Sequence, residues 1–280
     1  RADLRGMFAS SAGAGIVIGV MALIKILISY QHRAPLNEAL LYSVNYAAGF
    51  MLVHVLHFTI ATKQPAMTAA RIAAALHETT QRGGGHVRRR QVDVDSMAAL
   101  VNKVFRTQIV AVLGNLATVI PVAWLIALGW HWLFGTHLVT PAKAEHLIAD
   151  SHPWHSLALL HAAIAGVWLF VSGLVSGYYD NKAMYTRMGQ RVQQLRWLRR
   201  LLGEERRARF ARYVEDNLGG LMGNFVFGVL MGTTATVGFL LGLPLDVRHV
   251  TFSSANFAIG FVGLDQRLDP STIALTFLGI

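Results

Sequence analysis

The side chains able to do chemistry in this chain are mostly histidines and tyrosines set among apolar residues. His54 and His57 stand three apart, a spacing that puts two imidazoles on one helix face, where neutral rings can hold a divalent metal. Six more histidines, His131, His137, His146, His152, His155 and His161, fall within 31 residues. Only Glu145 and Asp150 lie near them as carboxylates. The competing reading is therefore an interfacial belt shared with Trp130, Trp132 and Trp154. There is no cysteine, which removes thiolate metal sites, disulfides and cysteine nucleophiles. Tyr178, Tyr179, Tyr185 and Tyr213 are available phenols, and His86-Val87-Arg88-Arg89 forms a short His-x-x-Arg element in a basic stretch. Gly83-Gly84-Gly85 lacks a following Gly-Lys-Ser/Thr, so it is no phosphate-binding loop and reads as a flexible joint between helical pieces.

The elements that must position these groups are set by hydropathy. Of 280 residues 54% are hydrophobic and 14% charged, with a mean hydropathy of +0.43. An ordinary soluble domain carries about 25% charged residues, which argues against a soluble globular fold. Five stretches reach the roughly 20 apolar residues that a bilayer requires: 7–29, 39–61, 109–134, 156–178 and 218–241. A shorter one, 250–264, is interrupted by Ser253, Ser254 and Asn256 and reads as re-entrant or interfacial; 271–280 starts a last span. Lipid offers no partner to backbone polar groups, so these runs must be α-helices. Arg1 in place of Met, and an apolar C-terminal end, predict a piece of a longer protein.

The charge balance gives the orientation. There are 25 Lys+Arg against 15 Asp+Glu, a formal +10. Eighteen of the basic residues fall in two connections, after the second and after the fourth span. Basic connections stay in the cytoplasm, so the N-terminus with Arg1 and Arg5 is cytoplasmic too. Lys182–Tyr213 reads as a basic amphipathic helix, with Met184, Met188, Val192, Leu195, Leu198 and Leu202 at helical spacing and arginines between. Such a helix lies on anionic lipid headgroups, and DNA phosphates would also accept it.

Small residues recur every four positions at Gly15/Gly19, Gly173/Gly177, Gly219/Gly223, Gly228/Gly232 and Gly238/Gly242. That spacing lets helix backbones approach closely and predicts a central fifth span. Ala66-Met67-Thr68-Ala69-Ala70-Arg71 is similar to Ala183-Met184-Tyr185-Thr186-Arg187, and Gly114-Asn115 to Gly223-Asn224, a weak parallel repeat. His54, His57, Asn115 and Asn224 are the intramembrane polar candidates, the asparagines as interhelical hydrogen-bonding groups; Lys25 is expected to reach the interface from its span.

Four stretches carry a family resemblance: His57-Phe-Thr-Ile-Ala-Thr-Lys-Gln-Pro-Ala-Met-Thr-Ala69, Ser176-Gly-Tyr-Tyr-Asp-Asn181, Asn217-Leu-Gly-Gly-Leu-Met-Gly-Asn-Phe225 and Gly242-Leu-Pro-Leu-Asp-Val-Arg-His-Val-Thr-Phe-Ser-Ser-Ala-Asn256. Together they resemble the bacterial membrane-protein family labelled site-specific recombinase, of the Gcr type. The resemblance implies DNA rearrangement. A tyrosine recombinase needs a Tyr beside two Arg, a Lys and His groups, and a serine recombinase needs a Ser with an Arg cluster. The two basic connections, of about 45 and 40 residues, are too short for an independent catalytic core. No catalytic, cofactor or metal residue is therefore assigned.

The resulting expectation is an all-α, polytopic transmembrane helical bundle of about six spans, residues 1–280 forming one membrane domain with basic cytoplasmic amphipathic helices. It belongs in a bacterial inner membrane. Its partners are the bilayer, anionic headgroups along Lys182–Tyr213, DNA at the cytoplasmic face, and a second copy in a homo-oligomer. Lys63 and Gln64 on the inner side, and Asp246, Arg248, His249, Ser253, Ser254 and Asn256 on the outer side, are the candidate functional residues. Recombination, transport through a polar cavity, and a non-catalytic scaffold remain in competition.

Overall fold

The structure is a computed structural model that describes residues 2–60 and 94–280. Lys63, Gln64, the glycine triplet at 83–85, the His86 element and the first copy of the repeat lie outside the described residues. The regular elements among the described residues are all helices: α1 (Ala2–Ser29), α2 (Pro35–Val55), α3 (Val94–Phe134), α4 (Pro141–Ala149), α5 (Ala158–Tyr185), α6 (Met188–Gln193), α7 (Arg196–Leu241), α8 (Val250–Gly263) and α9 (Pro270–Gly279). Their ends follow local chemistry. Pro35, Pro141 and Pro270 sit in the first turns of α2, α4 and α9, where a missing N–H does no harm. Thr140 Oγ1 accepts from Lys143 N at 3.3 Å, and Asp269 Oδ2 accepts from Thr272 N at 2.8 Å, each capping its helix. Gly242, in the left-handed region at φ 66°, closes α7.

Among the described residues four helices are long and apolar enough to cross a membrane: Leu4–Ser29, Val101–Phe134, Ala158–Tyr185 and Arg196–Leu241. α2, expected as a span over 39–61, is not among them, and it stops at Val55. Leu56 turns the chain and His57 takes φ 55°, so the apolar run continues to Ile60 without the helix. The stretch 250–264, whose apolar run is interrupted by Ser253, Ser254 and Asn256, forms the continuous α8. Ser254 Oγ donates to its own helix at Val250 O, 2.8 Å away, so the hydroxyl is satisfied without breaking the turn.

Residues 182–213 do not form one helix either. α5 ends at Tyr185, Arg187 takes φ 48°, and α6 lasts only six residues. Within α7, Gly203 adopts φ 71°, ψ −179°, a conformation closed to other residues, and bends the chain there.

The helices divide into two compact units. One holds residues 1–23, 57–158 and 249–280; the other holds 24–56 and 159–248. In the first unit α1 packs on α3 through Gly15 and Gly19: a Cβ at Gly19 would lie 2.7 Å from Val122 Cγ1, and one at Gly15 would strike Thr118. α8 packs on α4, with Gly260 against Ala144 and Ile148. In the second unit α7 is the shared partner. Gly219 and Gly223 face α5 at Asp180, Ser176 and Ser172, whereas Gly228 and Gly232 face α2 at Ala47 and Ser43. Phe50 and Phe227 fill the space beside the latter pair with ring centroids 5.0 Å apart. Gly177, from another expected pair, has open space where a side chain would go.

Candidate functional site

In the first unit, polar groups converge on Asn115 of α3, which is fully buried. Its Nδ2 donates to Ser11 O at 2.7 Å and to Thr59 O at 3.1 Å, and its Oδ1 accepts from Thr251 Oγ1 at 3.4 Å. One amide thus joins α1, α3, α8 and the segment after α2. One turn along, Thr118 Oγ1 donates to Ala12 O at 2.8 Å. The segment is tied down a second time: Ser10 Oγ donates to His57 O at 3.0 Å, and Thr59 N donates to Ser10 O at 3.3 Å. His57 is thereby used through its backbone, with its ring exposed and off the α2 face that was expected to carry it beside His54.

His249 caps α8, its Nδ1 accepting from Thr251 N at 3.3 Å. That acceptor role assigns the ring proton to Nε2. Burial lowers the group to about 4, so the imidazole is neutral. Ser253 N donates to His249 O at 2.9 Å. Ser253 and Ser254 are buried and Asn256 is half-buried. These four candidates therefore lie inside the first unit, on the same helix or cap as Thr251, which contacts Asn115, rather than in an open polar loop.

The remaining two, Asp246 and Arg248, fall in the second unit. Arg248 Nη2 lies 3.5 Å from Asp246 Oδ2, and Asp246 Oδ1 accepts from Val247 N at 2.8 Å. Arg248 N donates to His161 O at 3.3 Å. His161 Nε2 is 3.1 Å from Pro244 O; a carbonyl only accepts, so Nε2 carries the proton. Lys25, also in this unit, sits over the rings of Tyr42 and Tyr46, 5.9 and 5.8 Å from their centroids. This aromatic seat was not anticipated: no spacing rule relates a lysine late in α1 to tyrosines on α2.

His54 and Asn224 both adjoin Gly220 in the second unit. The His54 ring rests against Gly220, so closely that a Cβ there would strike it. Asn224 Nδ2 donates to Gly220 O at 2.6 Å, a bond within its own helix and not the interhelical one expected. The histidines between 131 and 155 pair with one another or with carboxylates. His131 stacks on His137 with centroids 4.4 Å apart, His137 Nε2 lies 3.1 Å from Asp265 Oδ1, and His146 Nδ1 lies 3.1 Å from Asp150 Oδ2. His152 Nδ1 accepts from Trp154 N and His155 N, both at 3.2 Å. No group of three metal-binding side chains is found among the described residues.

A family model described as "Site-specific recombinase" matches residues 1–280, the whole chain. The chain belongs to the site-specific recombinase family. No curated protein and no solved structure matches it. Of the tyrosines a recombinase would need, Tyr178 and Tyr179 share Lys182, whose Nζ lies 5.6 and 5.4 Å from their ring centroids. Tyr185 is exposed at the end of α5, and Tyr213 is half-buried on α7. In this family member two arginines upstream of Tyr213 lie near carboxylates, Arg207 Nη2 2.7 Å from Glu204 and Arg209 Nη2 3.6 Å from Glu205, whereas Arg212, its neighbour in sequence, is exposed.

Proposed function

We propose that the chain is the membrane domain of a multi-pass bacterial inner-membrane protein of the site-specific recombinase family. Its N-terminus and basic segments are cytoplasmic, and it holds anionic polymers at that face without cutting them. The observation that carries this reading is the use made of polar groups within the apolar helices. Asn115, Thr118 and Thr251 are committed to helix–helix hydrogen bonds, and Asn224 is committed to its own helix. A bundle locked this way anchors. The excess of 25 basic over 15 acidic residues supplies the attraction for polyanions. Lys182, near the apolar part of α5, meets lipid headgroups in this arrangement, and the arginines of α7 meet the cytoplasm.

The test is incubation of the full-length protein, in nanodiscs, with a labelled DNA pool followed by denaturation. Salt-sensitive binding that leaves no covalent adduct is expected. An adduct that survives denaturation and disappears on replacing one tyrosine or serine would make the chain a recombinase in its own right.

Transport is the second reading, and Lys25 favours it. An ammonium held over two tyrosines within an apolar helix is a group that substrate-coupled movement uses. Proton or solute flux into proteoliposomes that is lost in Lys25→Ala and kept in Lys182→Ala would replace the anchoring reading.

A further inference from the structure

The bend at Gly203 separates a short helical piece, residues 196–202, from the rest of α7. The short piece has two faces. Leu198 is 3% exposed and Leu202 half-buried, so this i,i+4 row packs inward. Trp197 and Leu201 form the neighbouring i,i+4 row and are 61% and 73% exposed. Arg196, Arg199 and Arg200 are exposed beside them. Among the described residues only Glu204 answers any of the three, at 3.6 Å from Arg199. A tryptophan and a leucine left in solvent within a cationic patch need a partner that is both anionic and flat or apolar.

Helix register locates this patch. On α7 Gly223 lies level with Ser176 and Gly219 with Asp180, while Gly189 of α6 lies level with Glu215 and Ala211. α6 therefore folds alongside the polar part of α7. The apolar part of α7 begins near Leu218. From there back to Gly203 the helix is unbroken, roughly 20 Å at about 1.5 Å per residue. The headgroup zone is only about 5–8 Å thick on each side. On the membrane reading above, on which this argument rests, and with α7 near the bilayer normal, Gly203 stands off the headgroups by more than a Debye length, about 8 Å at physiological salt, and the 196–202 piece, about 10 Å long, hangs from that point.

We propose that this stand-off tip binds a single-stranded nucleic acid, with an unpaired base stacked on Trp197 and phosphates held by Arg196, Arg199 and Arg200. A tip this far from lipid meets its polyanion in the aqueous phase. Phosphates satisfy the three guanidiniums and a base covers the indole face. A duplex offers the phosphates but keeps its bases stacked, so it leaves Trp197 uncovered.

The experiment uses the full chain in neutral-lipid nanodiscs, with fluorescence anisotropy of an oligothymidylate about 15 nucleotides long and of a duplex of the same length. Trp197→Ala weakens single-strand binding about tenfold and duplex binding by less than about twofold, and Trp197→Phe restores most of the loss. Arg199→Ala with Arg200→Ala weakens both ligands and lowers the salt slope by about 1–2. Equal effects of Trp197→Ala on both ligands, or none on either, overturn the proposal. The absence of native cysteine allows a single polarity-sensitive probe on Trp197→Cys. A blue shift in phosphatidylglycerol nanodiscs without DNA would mean that the tip docks on lipid, which also overturns it. The same probe on Val237→Cys, in the apolar part of α7, is expected to report hydrocarbon. If it reports water, the membrane reading itself has failed, and the stand-off argument falls with it.

Discussion

The Asn115 side-chain nitrogen lies 2.7 Å from the Ser11 carbonyl oxygen, and Ser11 is itself fully buried. A helix-interior carbonyl already accepts from its own helix, so this contact uses its second lone pair. α1 and α3 are thus joined through a backbone that no side-chain substitution at position 11 removes.

Replacing that amide tests the junction. Asn115→Leu leaves Thr59 O without its side-chain donor and removes the acceptor of Thr251. A loss of about 1–2 kcal/mol is expected, seen as a lower thermal unfolding midpoint in detergent. Asn224→Leu, which removes a bond within one helix, is expected to lose less. Equal losses would mean that Asn115 is no junction.

The glycines separate into those that touch a neighbour and those that do not. Gly232→Ala places a methyl against the Ser43 backbone and forces α2 and α7 apart. Overpacking of this kind costs about 1–3 kcal/mol. Gly177→Ala has open space and gains helix propensity, so it is neutral or stabilising by up to about 1 kcal/mol. Thermal scans of the two variants side by side check the contrast.

His249 makes stability depend on pH in a stated direction. Its folded pKa is lowered from 6.5 to about 4 by burial. Below pH 6.5 the unfolded chain takes up a proton that the folded chain refuses. The stabilisation from a neutral His249 is therefore complete above pH 6.5 and is lost as pH falls toward 4. Its full size is on the order of 3 kcal/mol. The expected measurement is a wild-type unfolding midpoint that drops across this window, with His249→Asn, which keeps a capping acceptor, giving a flatter profile. Parallel profiles would assign the acid sensitivity to other groups.

Gly203→Ala should disturb the tip alone. Alanine at φ 71°, ψ −179° is strained by about 1–3 kcal/mol. The piece at 196–202 then detaches or re-forms as a straight extension. Limited trypsin digestion is expected to cut faster at Arg199 and Arg200, while the apolar part of α7 stays protected.

Much of the fold is legible in the residues. An unbroken apolar run allows only a helix, and Gly15, Gly19, Gly228 and Gly232 mark real close approaches. The end of α2 is not legible, because Leu56, Phe58 and Ile60 continue the hydropathy that the helix has abandoned. What holds them is Ser10, through its backbone and hydroxyl, together with the Asn115 amide, and hydropathy carries no record of either. The apolar spacing from Met184 to Leu202 crosses two breaks and stops at a third, and of the six residues in it Leu198 alone is fully buried. Periodicity cannot see a left-handed Arg187 or the bend at Gly203. The candidate site is legible only residue by residue. His249, Ser253 and Ser254 were marked by polarity, but whether a polar residue lies open or is buried among its own helix's carbonyls depends on what packs over it.

The two glycine pairs of α7 have a further consequence. Gly219 and Gly228 are nine residues apart, about 900° of helix rotation, so they point in opposite directions. One helix thereby presents two smooth sides, one to α5 and one to α2. The count of residues between them works like the bitting of a double-sided key. Substitutions among Asn224, Phe225 and Val226 change chemistry at one spot. Inserting or deleting one residue there instead turns one side by about 100° relative to the other, so α7 can seat against either neighbour but not both. Length between the pairs is thus constrained more tightly than identity, and natural variation in this stretch should take the form of replacement and never of insertion.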